Sequence, residues 1–214
     1  ETLKKQVVEP ARRGEILLAF AISEERGGSD ALGVDTIAVK DGGRWILTGK
    51  KCWVTNAGFA DGYIVTAKSP SAERSRSMSM FYIPKDSPGL TVIENRNMIG
   101  LNNSPMGHII LDECPIPGYC LVGEENVGYP FIKPLLNEGR LDMAAVAVGI
   151  SQAALDYSTT CAGRIGLYGR SLASYQGVSF PIADMYTKTL MARNSMYTVA
   201  SMMANGLPHS RDAA

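Results

Sequence analysis

The hydrophobic pattern changes once along the chain, after Gly123, and this change limits the possible folds more than any other feature. Before it, short apolar runs alternate with Gly, Pro and polar turns, which is typical of antiparallel strands. After it, residues 129–160 and 172–205 contain few helix breakers and carry apolar residues at helical spacing. The sequence therefore predicts an α+β chain, with an antiparallel β-barrel or sandwich followed by a long antiparallel helical hairpin from a helical bundle.

The first part is predicted to hold a series of short strands, with a hairpin turn at Asp41-Gly42-Gly43. The strands fall at residues 16–22, 35–40, 44–48, 51–55, 62–67, 78–83, 90–94 and 107–113. Residues 1–14 resemble the end of a helical domain and a linker, residues 15–123 form the β domain, and residues 124–214 form a partial helical domain. An isolated helical hairpin has too little surface against which to bury its apolar residues. We therefore expect the chain to be an internal piece of a longer polypeptide.

Composition excludes several classes of function. The 214 residues are 45% hydrophobic and 20% charged, with a formal net charge of +0. This balance favours a folded core and provides no field that would attract nucleic acid or an acidic membrane surface. The four cysteines form no C-x-x-C pair, and the two histidines lie far apart. A metal site is therefore not expected, and the cysteines are predicted to be reduced thiols.

Residues 20–30 and 50–57 are the strongest candidates for a binding site. Trp53 and Thr55 lie two residues apart in a predicted strand, so their side chains should share one face. Gly27 and Gly28 allow backbone N–H groups to approach a ligand closely. An aromatic plane, a hydroxyl and a glycine turn together suit a flat heteroaromatic cofactor that also carries anionic groups.

Five blocks of the chain, in order, resemble motifs of the acyl-CoA dehydrogenases, a family of flavin enzymes. The blocks are FAISEERGGSD, KCWVTNA, MIGLNNSPMGHIILDECPIP, LVGEENVGYPFIKPLLNEGR and YGRSLASYQGVSFPIADM. The second, for example, is similar to the family's K-x-W-I-T-N-G. The blocks cover nearly the whole chain at family spacing, which makes the resemblance very specific. It implies the middle β domain and the start of the C-terminal helical domain of such an enzyme.

The resemblance implies FAD as cofactor and assigns roles to residues of the β domain. Trp53 would stack at the flavin, Thr55 would place its hydroxyl near flavin N5, and Ser29 would touch both flavin and the acyl-CoA chain. Ser29 is equally suited to a turn or helix-capping role beside Asp30. The other positions matched to the flavin are Phe20, Ile22, Ser23 and Gly28.

In the helical part, the resemblance implies that Arg140 lies near the CoA end of the substrate channel, although a lone helical arginine is often solvated or salt-bridged. Tyr168 and Gln176 match residues that reach the flavin of a neighbouring subunit. Ser75 and Arg76 match a variable loop that contacts CoA in some members, although a surface role is favoured.

Two positions depart from the family pattern. Ile165 stands where the family has an arginine for the flavin pyrophosphate, and Arg164 is one residue early, a rotation of about 100° on a helix. Arg164 would reach the phosphates only if the nearby glycines loosen that turn. The catalytic glutamate is expected beyond Ala214. In the isovaleryl and long-chain branches it directly precedes the arginine matched by Arg140, where this chain has Gly139, and the adjacent Glu138 should face elsewhere.

The resemblance implies α,β-desaturation of an acyl-CoA thioester, with electrons passed to an electron-transfer flavoprotein. A homodimer or homotetramer, in the bacterial cytoplasm or the mitochondrial matrix, is expected. Two alternatives remain open. One is a non-catalytic homologue that serves as a binding or assembly subunit. The other is a flavin-dependent acyl-CoA oxidase or hydroxylase relative.

Overall fold

The computed structural model describes residues 1–70, 78–95 and 97–214, and it divides the chain into two compact units, Glu1–Phe131 and Ile132–Ala214. Strands dominate the first unit, and two long helices supply most of the second. The α+β class predicted from the change in pattern is confirmed. The predicted boundary after residue 123 precedes the long helix, whereas the division by contacts falls inside its first turn.

The first unit opens with a π-helical turn at Lys4–Val8 and a short helix, α1, at Glu9–Arg12. The described residues of this unit then form eight strands in two four-stranded sheets, of order β1-β4-β5-β8 and β2-β3-β7-β6. The strands are β1 (Leu18–Ala21), β2 (Ile37–Asp41), β3 (Arg44–Thr55), β4 (Gly62–Ala67), β5 (Ser79–Pro84), β6 (Leu90–Asn95), β7 (Met106–Pro117) and β8 (Leu121–Val122).

One strand pairing differs from the predicted antiparallel arrangement. β1 runs parallel to β4, with Leu18 opposite Gly62 and Ala21 opposite Val65. The other pairings of the two sheets are antiparallel, including the β2–β3 hairpin in which Asp41 pairs with Arg44. The chain leaves the first sheet after β1, forms β2 and β3 in the second sheet, and then returns. A long connection of this kind allows a parallel pair, whereas a tight hairpin does not.

The predicted strands at residues 44–48 and 51–55 form a single strand, β3. Its register against β7 shifts twice, between Leu47 and Gly49 and between Lys51 and Val54. At Gly49 an added Cβ would lie only 2.8 Å from the Cα of Thr36. This glycine, which reads in the sequence as the end of a strand, therefore allows a neighbouring backbone to approach closely while the strand continues.

The two sheets share one hydrophobic core. Trp45 of β3 meets Phe81 of β5 edge to face, with ring centroids 5.1 Å apart. Aromatic pairs in this geometry stabilise a fold by about 0.5–1.5 kcal/mol beyond the area they bury. The other large members of the core are Leu47, Val54, Tyr63, Val65, Ile83, Ile109, Leu111 and Ile116. The core positions the outer ends of β1 and β3, where the candidate site lies.

The second unit is built on α2 (Tyr129–Arg164) and α3 (Gln176–Ala204), which are joined by a small hairpin of β9 (Gly166–Leu167) and β10 (Arg170–Ser171). The helices run antiparallel, and Arg193 of α3 donates a 2.7 Å hydrogen bond to the side-chain oxygen of Gln152 on α2. The predicted second helix begins later than residue 172, because Leu172–Ser174 forms a 3₁₀ turn and Tyr175 is extended. Gly206, at φ 66°, ends α3 as predicted.

Candidate functional site

A bulge in β3 turns Trp53 outward. Lys51 and Cys52 are both buried, Trp53 is 56% exposed, Val54 is buried again, and Thr55 is exposed. The indole and the hydroxyl therefore lie on the same side of the strand, as the two-residue spacing predicts. The backbone of Trp53 has φ 58°, in the left-handed region. This conformation is unusual for a bulky residue and was not predicted from the strand pattern.

The indole of Trp53 contacts His108 of β7. The ring centroids lie 5.3 Å apart at an interplanar angle of 63°, an edge-to-face contact. Within the described residues, Nδ1 of His108 is buried and has no hydrogen-bond partner. His108 is one of the two histidines whose separation in the sequence argued against a metal site, and no role was predicted for it. This contact was missed because nothing in the spacing of β3 and β7 indicates which residues lie opposite each other.

The turn after β1 lies directly beside this bulge. The backbone N–H of Cys52 donates a 2.8 Å hydrogen bond to the carbonyl of Ser23. An added Cβ at Gly28 would lie 3.1 Å from Oγ of Ser23, so the glycine permits close approach of the two segments. The structure thus links Ser23, Gly28 and Trp53 through successive contacts. We call Ile22, Ser23, Gly28, Trp53 and Thr55 the tryptophan site.

A buried ion pair lies beneath the tryptophan site. The ammonium of Lys51 lies 2.7 Å from Oε1 of Glu24, and it also donates to the carbonyl of Ile22 at 3.1 Å and to Oγ1 of Thr66 at 3.0 Å. The carboxylate of Glu24 accepts hydrogen bonds from the backbone N–H groups of Asp35 and Thr36 and from the Thr36 hydroxyl. The side chains of Lys51 and Glu24 therefore join four segments, which are the turn after β1, the segment before β2, and the strands β3 and β4.

The pKa values of the pair reflect this environment. Burial alone would raise the pKa of Glu24, but hydrogen bonds from Lys51 and Thr36 hold it below its ordinary value. Burial lowers the pKa of Lys51, and the hydrogen bond and charge of Glu24 offset part of that effect. Neither residue was singled out from the sequence, although Lys51 is the lysine of the K-x-W motif.

The remaining predicted residues of the first unit lie in or after β1. Phe20 is half-buried in β1, opposite Ile64 of β4. Ser29 is exposed, in the bend that follows Gly27, whose φ of 111° suits only glycine. Ser75 and Arg76 lie outside the described residues.

In the helical unit, Arg140 is exposed on α2 and donates a 3.2 Å hydrogen bond to Oδ1 of Asn137. It borders a cavity of about 270 Å³ that is lined mainly by apolar side chains of α2 and α3, with Asp212 also at its edge. An added Cβ at Gly139 would meet open space. Gly139 carries no carboxylate, and Glu138 beside it is exposed.

The other helical candidates cluster in sequence around the β9–β10 hairpin. Arg164 is the exposed last residue of α2, and Ile165 after it is 52% exposed. Tyr168 occupies the hairpin turn at φ 50° and is 90% exposed. Gln176 is the exposed first residue of α3. Exposed side chains at such a turn are available to a ligand or to another chain.

Other kinds of site find no support in the described part of the chain. Across residues 1–70, 78–95 and 97–214, no group of three or more His, Cys, Asp or Glu side chains is arranged to hold a metal ion. The four cysteines are free, and burial raises the pKa of Cys114 and Cys120 to about 11. Among the helices so described, none has an apolar stretch of the length needed to cross a bilayer.

Comparison with known proteins agrees with this arrangement of a β unit and a helical unit. The family profile described as "Acyl-CoA dehydrogenase, middle domain" matches residues 19–114, and the profile described as "Acyl-CoA dehydrogenase, C-terminal domain" matches residues 126–214. Together the profiles account for strands and helices alike. The chain belongs to the acyl-CoA dehydrogenase family.

Individual relatives point the same way. The chain is 35% identical over 214 residues to an acyl-CoA dehydrogenase of Bacillus subtilis, covering 100% of this chain and 56% of that protein. It is 34% identical to the short-chain specific mitochondrial acyl-CoA dehydrogenase of Bos taurus, covering 99% of this chain and 51% of that protein. The structure of butyryl-CoA dehydrogenase from Megasphaera elsdenii superposes with a TM-score of 0.90 at 31% identity, covering 99% of this chain and 56% of that one. The chain thus spans about half the length of the relatives it matches.

Proposed function

We propose that the full-length protein containing this chain is an FAD-dependent acyl-CoA dehydrogenase, which desaturates an acyl-CoA thioester between Cα and Cβ. The observation that carries the proposal is the outward-facing indole of Trp53, in a left-handed conformation beside Ser23 and Thr55. An exposed aromatic plane in a sterically unfavourable conformation has no evident role in the core, and such outliers are concentrated at functional sites.

The residues of the tryptophan site suit the parts of a flavin. The indole offers a surface for stacking, and the hydroxyls of Ser23 and Thr55 can hydrogen-bond to ring heteroatoms. Gly28 lets backbone come close, as an added Cβ there would already touch Ser23. In the helical unit, Ile165 replaces the family's pyrophosphate arginine, and Arg164 would reach a phosphate only if the turn after α2 loosens. Tyr168 and Gln176 would serve a neighbouring subunit of a homodimer or homotetramer.

In the reaction, this chain would orient the flavin and the substrate, and it would exclude water from the site. Bound FAD would supply the acceptor for the β-hydride of the substrate. Trp53 and Thr55 would hold the flavin ring, Ser29 would touch the ring and the acyl chain, and Arg140 would lie near the CoA end of the substrate. A base that removes the α-proton is also required. Gly139 lacks a carboxylate, so the base is proposed to lie elsewhere in the full-length protein.

The proposal extends to partners and location. An electron-transfer flavoprotein would reoxidise the enzyme. The bacterial and mitochondrial relatives support a location in a bacterial cytoplasm or a mitochondrial matrix. Because one relative is named for short chains and a structural neighbour for butyryl-CoA, butyryl-CoA is the first substrate to test.

The test is to purify the full-length protein, measure its flavin absorbance, and add butyryl-CoA and longer acyl-CoA esters without oxygen. The proposal expects bound FAD, bleaching of the flavin band and reduction of a dye acceptor. The 214-residue chain alone should give no turnover, and measurable turnover by that chain would contradict the assignment of the base. Bound FAD with rapid oxygen consumption would instead identify an oxidase or hydroxylase relative.

A second candidate is a non-catalytic homologue that serves as a binding or assembly subunit. The observation that favours it is Ile165, an uncharged residue at the position where the family has its pyrophosphate arginine. A phosphate in a buried site needs a charged or N–H partner. Full-length protein that is folded, lacks flavin and takes up no added FAD would support this second candidate and exclude the dehydrogenase.

A further inference from the structure

Lys51 is unusual among the charged residues of the chain because its side chain is 0% exposed. Lysine is almost never fully buried unless it is paired. Here the ammonium has three acceptors, which are Oε1 of Glu24, the carbonyl of Ile22 and Oγ1 of Thr66. Its three N–H donors are therefore all satisfied, and the head group has a fixed position.

Glu24 extends this fixed point to a further segment. Its Oε2 accepts the backbone N–H of Asp35 at 2.6 Å, and its Oε1 accepts both the N–H of Thr36 at 3.0 Å and the Thr36 hydroxyl at 2.7 Å. The segment that precedes β2 is thereby tied to the turn after β1. The carboxylate accepts hydrogen bonds through both oxygens, so it too has a fixed orientation.

The pair is placed where it determines the geometry of the tryptophan site. Lys51 and Cys52 both point inward, and Trp53 points outward at φ 58°. One bond from Lys51 reaches the carbonyl of Ile22, and the next residue, Cys52, binds the carbonyl of Ser23 at 2.8 Å. Two successive carbonyls from the turn after β1 are thus held by two successive residues of the bulge.

Stability alone does not account for an ion pair at this position. Replacing a buried pair by well-packed apolar side chains is often neutral or stabilising. Apolar side chains, however, cannot donate a directed hydrogen bond to the Ile22 carbonyl. We propose that Lys51, oriented by Glu24, is a positioning residue that holds Ile22 and Ser23 in register with Trp53 for flavin binding. This role rests on the proposed function.

The chain contains a matched control pair, because Lys50 is the sequence neighbour of Lys51 and Glu25 is the sequence neighbour of Glu24. Lys50 and Glu25 also form an ion pair, at 2.5 Å, but both side chains are exposed. Exposed pairs contribute little to stability. The Lys50–Glu25 pair therefore repeats the chemistry of Lys51 and Glu24 without the burial and without the bond to Ile22.

The experiment compares three forms of the full-length protein: unchanged, Glu24→Gln/Lys51→Met, and Glu25→Gln/Lys50→Met. The readouts are the unfolding midpoint without flavin, the Kd for FAD and the visible circular dichroism of bound flavin.

In Glu24→Gln/Lys51→Met no lone buried charge remains, and the introduced amide keeps an oxygen that can accept from Thr36. The midpoint should fall only modestly, because the amide nitrogen cannot accept from the Asp35 N–H, and unfolding should remain cooperative. The Kd for FAD should rise about tenfold or more, and the dichroism should change, because the Ile22 carbonyl has lost its donor. The control variant should match the unchanged protein in all three readouts.

Each alternative outcome is decisive. If Glu24→Gln/Lys51→Met binds FAD as tightly as the unchanged protein and with the same dichroism, the positioning role is overturned while the proposed function stands. If that variant shows no cooperative unfolding transition, the pair is needed for the fold itself and the positioning role is likewise overturned. If the unchanged protein binds no FAD, the proposed function fails and the positioning role with it.

Discussion

Trp53 combines two properties that rarely occur together. Its backbone lies at φ 58°, and it carries the largest side chain of the twenty residues. For an L-residue, a left-handed conformation brings Cβ too close to the following carbonyl and costs about 1–2 kcal/mol. The side chain is also mostly exposed, so burial returns little of this free energy. The unfavourable conformation is maintained by the surrounding strands, and we propose that ligand binding rather than core packing accounts for it.

We expect Trp53→Gly to separate stability from flavin binding. Glycine removes the left-handed strain, and the contact with His108 that is lost is of similar size, so the free energy of unfolding should change by less than about 1 kcal/mol. The Kd of the full-length protein for FAD should rise about tenfold through loss of stacking. Urea unfolding and FAD titration measure the two effects.

The buried Trp45 provides the control for this variant. It packs on Phe81, so Trp45→Ala should lower the free energy of unfolding by about 3–5 kcal/mol. Equal destabilisation by the two substitutions would show that Trp53 is a structural residue after all.

Ile165 allows a test of the missing pyrophosphate partner. The side chain is 52% exposed at the end of α2, so Ile165→Arg should not disturb packing. A charge-assisted hydrogen bond to phosphate contributes about 1.5–3 kcal/mol, so FAD should bind about tenfold more tightly to the full-length variant. Ile165→Gln has similar length without charge and should leave the Kd unchanged. If Ile165→Arg has no effect while Arg164→Ala weakens binding, Arg164 already fills this role.

At the residue scale, motif resemblance identified the segments that meet but not the contacts between them. Ser23 and Trp53 were predicted to face one cofactor, and the structure joins their segments through the N–H of Cys52. Lys51 and Glu24 were not predicted as a buried pair, because a hydropathy pattern assigns charged residues to the surface. The bulge at Lys51 was likewise hidden, since a short run of residues reads equally well as a regular strand.

At the scale of elements, the sequence predicted most strands and both long helices, and it was wrong where distant segments decide the outcome. Gly49 was interpreted as a break, although it marks close approach to Thr36 within the continuous strand β3. The sequence predicted an antiparallel β domain and did not reveal that one pair of its strands, β1 and β4, is parallel. No local signal reports which way a strand far along the chain will run.

The network around Glu24 also predicts how the β unit responds to acid. The folded-state pKa of Glu24 is lower than its ordinary value of 4.5, so the unfolded chain binds the proton more strongly. Its contribution to stability is therefore complete above the unfolded pKa and is lost as pH falls through the lower folded value.

We expect the free energy of unfolding to fall as the pH is lowered below 4.5, and to fall less steeply in Glu24→Gln/Lys51→Met. Urea unfolding at several pH values measures the two slopes. The exposed-pair variant Glu25→Gln/Lys50→Met controls for carboxylates at the surface. Parallel slopes for the unchanged chain and Glu24→Gln/Lys51→Met would contradict a stabilising role for the ionised Glu24.

At the scale of the whole molecule, a change of period along the sequence was sufficient to predict the α+β class. Periodicity alone, however, did not show how much apolar surface the two helices leave uncovered. Large side chains remain exposed along both, including Met143, Ile150, Tyr157, Phe180, Met191 and Tyr197. Exposed apolar side chains in such number are typical of surfaces at which a protein interacts with a partner.

We predict that the 214-residue chain self-associates in solution through these helices. Ile150→Glu/Met191→Glu should shift it towards the monomer, because burying two carboxylates in an apolar contact is unfavourable. Sedimentation velocity over a range of protein concentrations provides the measurement. Thr160→Glu adds a charge at another exposed position of α2 and should leave the association unchanged. A chain that is monomeric at all concentrations would refute the prediction.

The parallel pairing of β1 with β4 has a consequence for the order of events on the ribosome. Among the described strands of its sheet, β1 hydrogen-bonds only to β4, so Ala21 must wait until Gly62 and the residues after it have been synthesised. At the usual rate of translation this takes roughly 2–8 s, during which β1 is an unpaired edge available to non-native partners. Codons that slow elongation between the two strands would lengthen this interval, whereas the same codons after β4 would not.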